Sequence, residues 1–200
     1  MLRPALIAGV GMIPFTKPGK HQPYPVMAAT AVRTALADAG LDYADVEQAY
    51  AGYVYGDSTC GQRALYEVGM TGIPVLNVNN NCSTGSTALF LARQAVASGA
   101  AECVLALGFE EMRRGAIGEV FEDRESPFQR FQEQADTLIG HGEVPLALRY
   151  FGGAGLAYMQ EHGTPLEVFA MIRAKASQHA EHNDKALFRK VVSAEQVLAS

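Results

Sequence analysis

Cysteine is scarce in this chain of 200 residues: Cys60, Cys82 and Cys103, odd in number and widely spaced. That excludes the paired framework of a small secreted domain and fits a reducing compartment, where a thiol stays reactive. Positive charge is thin as well. Sixteen Lys and Arg against 21 Asp and Glu give a formal net charge of −5, with no basic stripe. General affinity for nucleic acid or an anionic membrane is not expected of such a balance. No uninterrupted apolar run approaches the ~20 residues of a membrane-spanning helix. The opening MLRPALIAGVGMIPF is too short and too broken by Gly and Pro to be a secretory signal. A full Gly-x-Gly-x-x-Gly fingerprint is missing, since IAGVGMIP offers only Gly9 and Gly11. Internal repeats and low-complexity tracts are missing too. What is present is an ordinary soluble composition, 48% hydrophobic and 18% charged. It is enough for one large domain, or for one domain with an insertion.

The order of elements predicts an α/β protein. Residues 5–10 form an apolar run stopped by Gly11, the pattern of a buried strand. Residues 25–39 repeat apolar side chains at three- and four-residue steps and end at Gly40, an amphipathic helix with a glycine stop. A strand is expected over 46–55, a short helix over 62–70, a third strand over 74–78, a mostly buried helix over 83–98 and a fourth strand over 103–107. Strands alternating with helices imply crossovers and a largely parallel sheet covered on both faces.

The texture changes after Gly108. From Met112 to Gln134 no period holds, and beyond it come helical patches, so 1–111 reads as the α/β domain and 112–200 as an inserted helical region. In TPLEVFAMIRAKASQHAEHN, Thr164 is expected to cap, with Pro165 at the first helical position and Glu167 closing a capping box. A second capping box, Ser193 with Gln196, opens a helix that the chain leaves within about two turns. A helix begun so deliberately and then cut is expected of a fragment.

The stretch NVNNNCSTGSTALFLARQAV, residues 77–96, puts Cys82 between a strand and a helix, after three asparagines. In a doubly wound sheet, function collects beyond the carboxyl ends of the strands, where helix N-termini also point. A thiol there feels the positive end of the helix dipole and nearby backbone N–H groups, both favouring thiolate. The Ser, Thr and Gly that follow leave room for a substrate and for donors to an oxyanion. The plainer reading is a structural cysteine at a helix start, since free Cys is often buried and inert. Residue chemistry leaves both open.

The segment NVNNNCSTGSTALFLARQAVASGAAECVLALGFEEM resembles the nucleophile region of thiolases of the sterol-carrier-protein-x type. GYVYGDSTCGQRALYEVGMTGIPVLNVNNNC is similar to that subfamily's lead-in, and YFGGAGLAYMQEHGTPLEVFA and ALFRKVVSAEQVLAS to its loop-domain helices. The resemblance spans essentially the whole chain. It implies a thiolase-like fold, a layered α/β/α N-terminal half carrying an inserted helical loop domain, with the second half absent. It implies Cys82 as nucleophile and oxyanion-hole donor, and Phe151 and Gly152 as substrate-binding residues, standing where thiolases place a Met-Gly pair. Coenzyme A and acyl-coenzyme A are implied as substrates, with no permanently bound cofactor and no metal. A homodimer or tetramer is implied. An Ala/Gly/Arg-leaning composition without targeting signals suggests a bacterial cytoplasm; for a eukaryote, a peroxisome is expected. The implied reaction is cleavage of a 3-oxoacyl-coenzyme A through an acyl-cysteine, in lipid or sterol side-chain degradation. Two alternatives remain: a thiolase-like retro-aldolase acting on steroid side-chain thioesters with a zinc-ribbon and barrel partner, or an inactive thiolase-like subunit.

The family's base lies in a Gly-His-Pro motif, and none of His21, His141, His162, His179 and His182 stands in one. His179 with His182 reads as a solvated helix face, His162 as a helix-end residue meeting the dipole, and His141 as a loop residue. Cys103 reads as core and Cys60 as a structural loop cysteine. Glu110 and Glu111 read as a solvated turn. Arg113 and Arg114 stay unassigned.

Overall fold

The computed structural model describes residues 3–113, 121, 123–142 and 144–200, and the chain divides into two compact units, Met1–Arg114 and Gly115–Ser200. In the first unit three parallel strands, β1 (Gln48–Gly52), β2 (Val75–Val78) and β3 (Val104–Gly108), lie in the order β2-β1-β3. Ala49 pairs with Val75 on one side and Leu105 on the other, and Gly52 with Val78 and Gly108. Around the sheet lie α1 (Tyr24–Ala39), α2 (Cys60–Tyr66) and α3 (Thr84–Ser98).

The strand period of two sorts the core. Ala49 and Leu107, with the partly buried Val75 and Leu105, meet Ala28 and Val32 of α1 and Ala64 and Leu65 of α2. Tyr50, with Val78 and Val104, faces the other way, onto Ala88, Ala92 and Ala95 of α3. Both faces are therefore covered, as crossover connections require. The alanine stripe brings α3 down close to the sheet, and the opposite side of the helix stays open: Leu89 and Phe90 are 51% and 53% exposed. The helix expected to be mostly buried is buried on one face.

Residues 5–10 are extended but form no strand. β1 and β3 pair directly over their whole length, so the ladder has no place for the segment there. Its backbone lies instead against α1, so closely that a Cβ on Gly9 would stand 2.5 Å from the Ala35 carbonyl oxygen, and one on Gly11 would overlap that of Ala31. Leu6, Ile7 and Val10 point away from the protein.

The second unit is helical, with α4 (Gln129–Ile139), α5 (Leu146–His162), α6 (Leu166–Glu181) and α7 (Ala194–Leu198). Phe131, Ala135, Leu138 and Ile139 recur at helical spacing in α4, whose side toward α5 also carries Asp136, paired with the buried guanidinium of Arg149 at 2.6 Å. Pro165, not Thr164, is the N-cap of α6: the proline's extended backbone delays the helix to Leu166 and leaves Thr164 outside it. The box at α7 is as expected, Gln196 N–H donating to Ser193 Oγ at 3.2 Å and Ser193 N–H to Gln196 Oε1 at 3.0 Å.

Candidate active site

β2 ends at Val78, and the three asparagines that follow build a tight turn. Asn79 Oδ1 accepts the Asn81 N–H at 3.2 Å, Asn80 Nδ2 donates to Thr87 Oγ1 at 3.1 Å, and Asn80 O accepts the Ser83 hydroxyl at 2.8 Å. Asn81 takes φ 49, a left-handed conformation that asparagine tolerates better than most residues. Thr84 ties the turn to the helix. Its hydroxyl accepts the Asn80 N–H at 2.9 Å and donates to the Asn81 carbonyl, so this polar group, only 4% exposed, is satisfied. Cys82 follows the left-handed asparagine, two residues before α3, and is exposed.

Small residues set the height of that turn above the sheet. Gly52 and Gly108 are register partners at the ends of β1 and β3. A Cβ on Gly52 would meet Thr84 Cγ2 at 2.7 Å and the Thr84 carbonyl oxygen at 3.0 Å, and one on Gly108 would reach the Cα of Gly85. The first turn of α3 thus rests on strand backbone, with Thr84 N–H donating to Asn81 O at 3.1 Å, and helix geometry leaves the N–H groups that directly follow without intrahelical partners. An exposed thiol beside such donors can attack a carbonyl and have the resulting oxyanion stabilised.

Two loops flank the turn. The one after β1 is fixed by Glu110, whose oxygens accept the N–H groups of Val54 at 2.9 Å and Tyr55 at 3.0 Å. Glu111 accepts the Tyr24 N–H at 2.8 Å at the start of α1, where a carboxylate also suits the helix dipole. The expected solvated turn is therefore a pair of half-buried clamps. Phe109 stacks on both Tyr24 and Tyr53, each at 5.2 Å between centroids. A cavity of about 380 Å³ opens between Tyr24, Tyr55, Asp57, Cys60, Arg63 and Glu111. Burial, and then a hydrogen bond with Cys60, push the Tyr24 phenol up to about 12. Tyr55 is raised by burial, then by the charges of Glu110 and Cys82, with Arg113 opposing.

Cys60 is 6% exposed and begins α2, so it is a helix-start cysteine and not a loop one. Cys103 is half-buried beside β3, and burial, then Asp45 and Glu47, push its thiol up. Phe151 and Gly152 belong to α5 of the second unit, where Phe151 is 78% exposed and a Cβ on Gly152 would meet open space. His21 lies 3.8 Å from Glu111, His141 3.1 Å from Asp136, and His162 ends α5 beside Tyr158. His179 is in the last turn of α6, whereas His182 is its C-cap. Arg114 lies outside the described residues. Among the described residues no group of three His, Cys, Asp or Glu is placed to hold a metal, and no helix is long and apolar enough to cross a membrane. Sequence reasoning missed Glu110, Glu111 and Tyr55 as builders of the site. The available signal was an acidic pair directly beyond a strand's carboxyl end.

The thiolase N-terminal domain model matches residues 5–196. Sterol carrier protein 2 of Oryctolagus cuniculus is 50% identical over 97% of this chain and 36% of its own length. The human protein of that name is 48% identical over 100% and 37%. Benzoylsuccinyl-CoA thiolase subunit BbsB of Thauera aromatica is 32% identical over 99% and 49%. The chain therefore spans between about a third and a half of these relatives. Among solved structures, the Ltp2-ChsH2(DUF35) aldolase aligns at a TM-score of 0.73 and 22% identity, covering 97% of this chain and 48% of that one, a likeness of fold.

Proposed function

The chain belongs to the thiolase N-terminal domain family, and we propose that in its full-length protein it supplies the nucleophile, Cys82, for coenzyme A-dependent cleavage of a 3-oxoacyl-coenzyme A. The observation that carries this reading is an exposed thiol on a braced asparagine turn at the N-terminus of α3. Cys82 Sγ, as thiolate, adds to the 3-oxo carbonyl. The C2–C3 bond breaks, its electron pair leaves with C2, and that carbon takes up a proton to give acetyl- or propionyl-coenzyme A. The acyl group stays on Sγ as a thioester. A second coenzyme A thiol attacks it, releasing the shortened acyl-coenzyme A and restoring Cys82. Covalent catalysis so divides one difficult cleavage into two easier steps.

Cys82 N–H contributes to the oxyanion hole, and Phe151 and Gly152 are assigned to substrate binding. The base and the acid are assigned to the part of the longer relatives that this chain does not span. The names of the relatives support a lipid or other coenzyme A thioester as substrate. A second copy of the chain covers the β2 edge and the open face of α3, where Leu76, Leu89 and Phe90 are exposed.

The test is mass spectrometry on the full-length protein quenched during turnover of acetoacetyl-coenzyme A. An acetyl adduct is expected on the peptide carrying Cys82 and not on those carrying Cys60 or Cys103. Cleavage without that adduct and without any need for coenzyme A overturns the reading in favour of a retro-aldolase. No cleavage at all leaves an inactive thiolase-like subunit.

A further inference from the structure

Glu110 stands two residues beyond the end of β3, and both its oxygens are engaged by backbone donors of the loop after β1. Charge-assisted bonds of this kind are roughly twice as strong as neutral ones. Beside them, Phe109 N–H donates to Gly52 O at 3.1 Å. One residue before the clamped pair, Tyr53 N–H donates to Val78 O at 3.3 Å, and Val78 is the residue from which the asparagine turn departs. A continuous series of hydrogen bonds therefore runs from the Glu110 carboxylate through residues 53–55 to the root of the turn that carries Cys82. Gly52, at the start of the same loop, is also the seat of Thr84, which braces that turn from below. Tyr55 completes the connection: its side chain lines the cavity, and the charge of Cys82 reaches its phenol. A carboxylate whose two oxygens both hold backbone N–H groups is poorly placed to carry protons, so its contribution is geometric.

We propose that Glu110 is a positioning residue for Cys82, acting through the backbone of Val54 and Tyr55 and the strand end beside them. The kinetic part of its test rests on the acyl-transfer reading; the labelling part does not.

In the full-length protein, Glu110→Ala removes both acceptors, Glu110→Gln keeps one, and Tyr55→Phe removes only the phenol. For Glu110→Ala, kcat for acyl transfer is expected to fall about a hundredfold, the scale of a ~1 Å misplacement, while KM for acyl-coenzyme A stays within about twofold. Glu110→Gln recovers part of the loss. Iodoacetamide labelling of Cys82, read by peptide mass, slows several-fold in Glu110→Ala, with thermal melts showing each variant folded at the assay temperature. A kcat within about threefold of wild type, or a loss carried wholly by KM, overturns the proposal. If the wild type transfers no acyl group and Glu110→Ala still slows the labelling, the acyl-transfer reading fails and the positioning role stands. If acyl transfer proceeds and neither rate changes, only the positioning role falls.

Discussion

Gly52→Ala is the sharpest probe of how the proposed nucleophile, Cys82, is seated. The added methyl would lie 2.7 Å from Thr84 Cγ2 and 3.0 Å from the Thr84 carbonyl oxygen. Ordinary contact begins at 3.4 Å, so Thr84 must retreat by about 0.7 Å. The second contact is helix backbone and cannot rotate aside. Alanine gains roughly 0.5–1 kcal/mol over glycine in a strand from backbone entropy, whereas overpacking a tight contact costs about 1–3 kcal/mol. The clash is therefore expected to win, by about 1–2 kcal/mol. For a domain of about 200 residues that lowers the melting midpoint by roughly 2–8 °C. The larger effect falls on chemistry. The Thr84 hydroxyl holds both Asn80 and Asn81, so its retreat carries the turn and Cys82 with it. Labelling of Cys82 by iodoacetamide at neutral pH is expected to slow about tenfold or more, within what a displacement below ~1 Å costs a reacting group. The assay is peptide-resolved mass spectrometry beside a circular-dichroism melt of the full-length protein. An unchanged melt with labelling within about twofold of wild type would refute the seating of α3 on Gly52.

Other outcomes follow from separate parts of the molecule. Iodoacetamide near neutral pH is expected to label Cys82 ahead of Cys60, which is buried, and Cys103, whose thiol burial pushes up; equal labelling of all three contradicts the nucleophile assignment. Tyr24, raised to about 12, stays neutral in the folded protein at alkaline pH, where an unfolded tyrosine ionises near 10. Its pull on stability is thus absent below about pH 10 and grows unfavourable from there to about pH 12, so Tyr24→Phe should flatten the fall in melting midpoint over that window. Arg149→Leu strands the Asp136 carboxylate, 17% exposed, and should destabilise the second unit by about 3 kcal/mol in chemical denaturation; a change below about 1 kcal/mol means the pair is solvated. Phe90→Glu places a charge on the open face of α3, and sedimentation should show the full-length protein shifting from dimer to monomer; an unshifted dimer puts the interface elsewhere.

The sequence made the sheet legible wherever one side chain per residue carried the signal. Pro74 to Val78 and Cys103 to Leu107 read as strands because their apolar residues face two covering layers, and Gly40 marked a helix end through its left-handed backbone. The same reasoning failed over residues 5–10, where an apolar run met a ladder already filled and glycines allowed backbone-to-helix contact instead. It missed α4, whose apolar spacing of Phe131, Ala135, Leu138 and Ile139 straddles the end of the aperiodic stretch at Gln134. The place of Cys82, between a strand and the start of a helix, was legible from its neighbours in the chain. Glu110 was legible only as half of an acidic pair beyond a strand's end, since its partners lie 55 and 56 residues away and are backbone groups, which no side-chain pattern records.

That difference accounts for the asparagines before the cysteine. A nucleophile at a helix N-terminus needs a turn that reverses the strand within three residues, exposes the thiol and still holds it to a fraction of an ångström. Glycine would make the reversal but would leave the turn without side-chain bonds. Larger residues would resist the left-handed step at position 81. Asparagine accepts that conformation and also supplies the amide groups with which Asn79 and Asn80 fasten the turn to itself and to Thr87. A purely structural cysteine gains nothing from such an arrangement, because burial alone would hold it, as it holds Cys60. An exposed thiol on a rigid turn, with strand glycines cut back beneath its helix, is the arrangement that the proposed nucleophile requires, since its value would lie in what approaches it from outside.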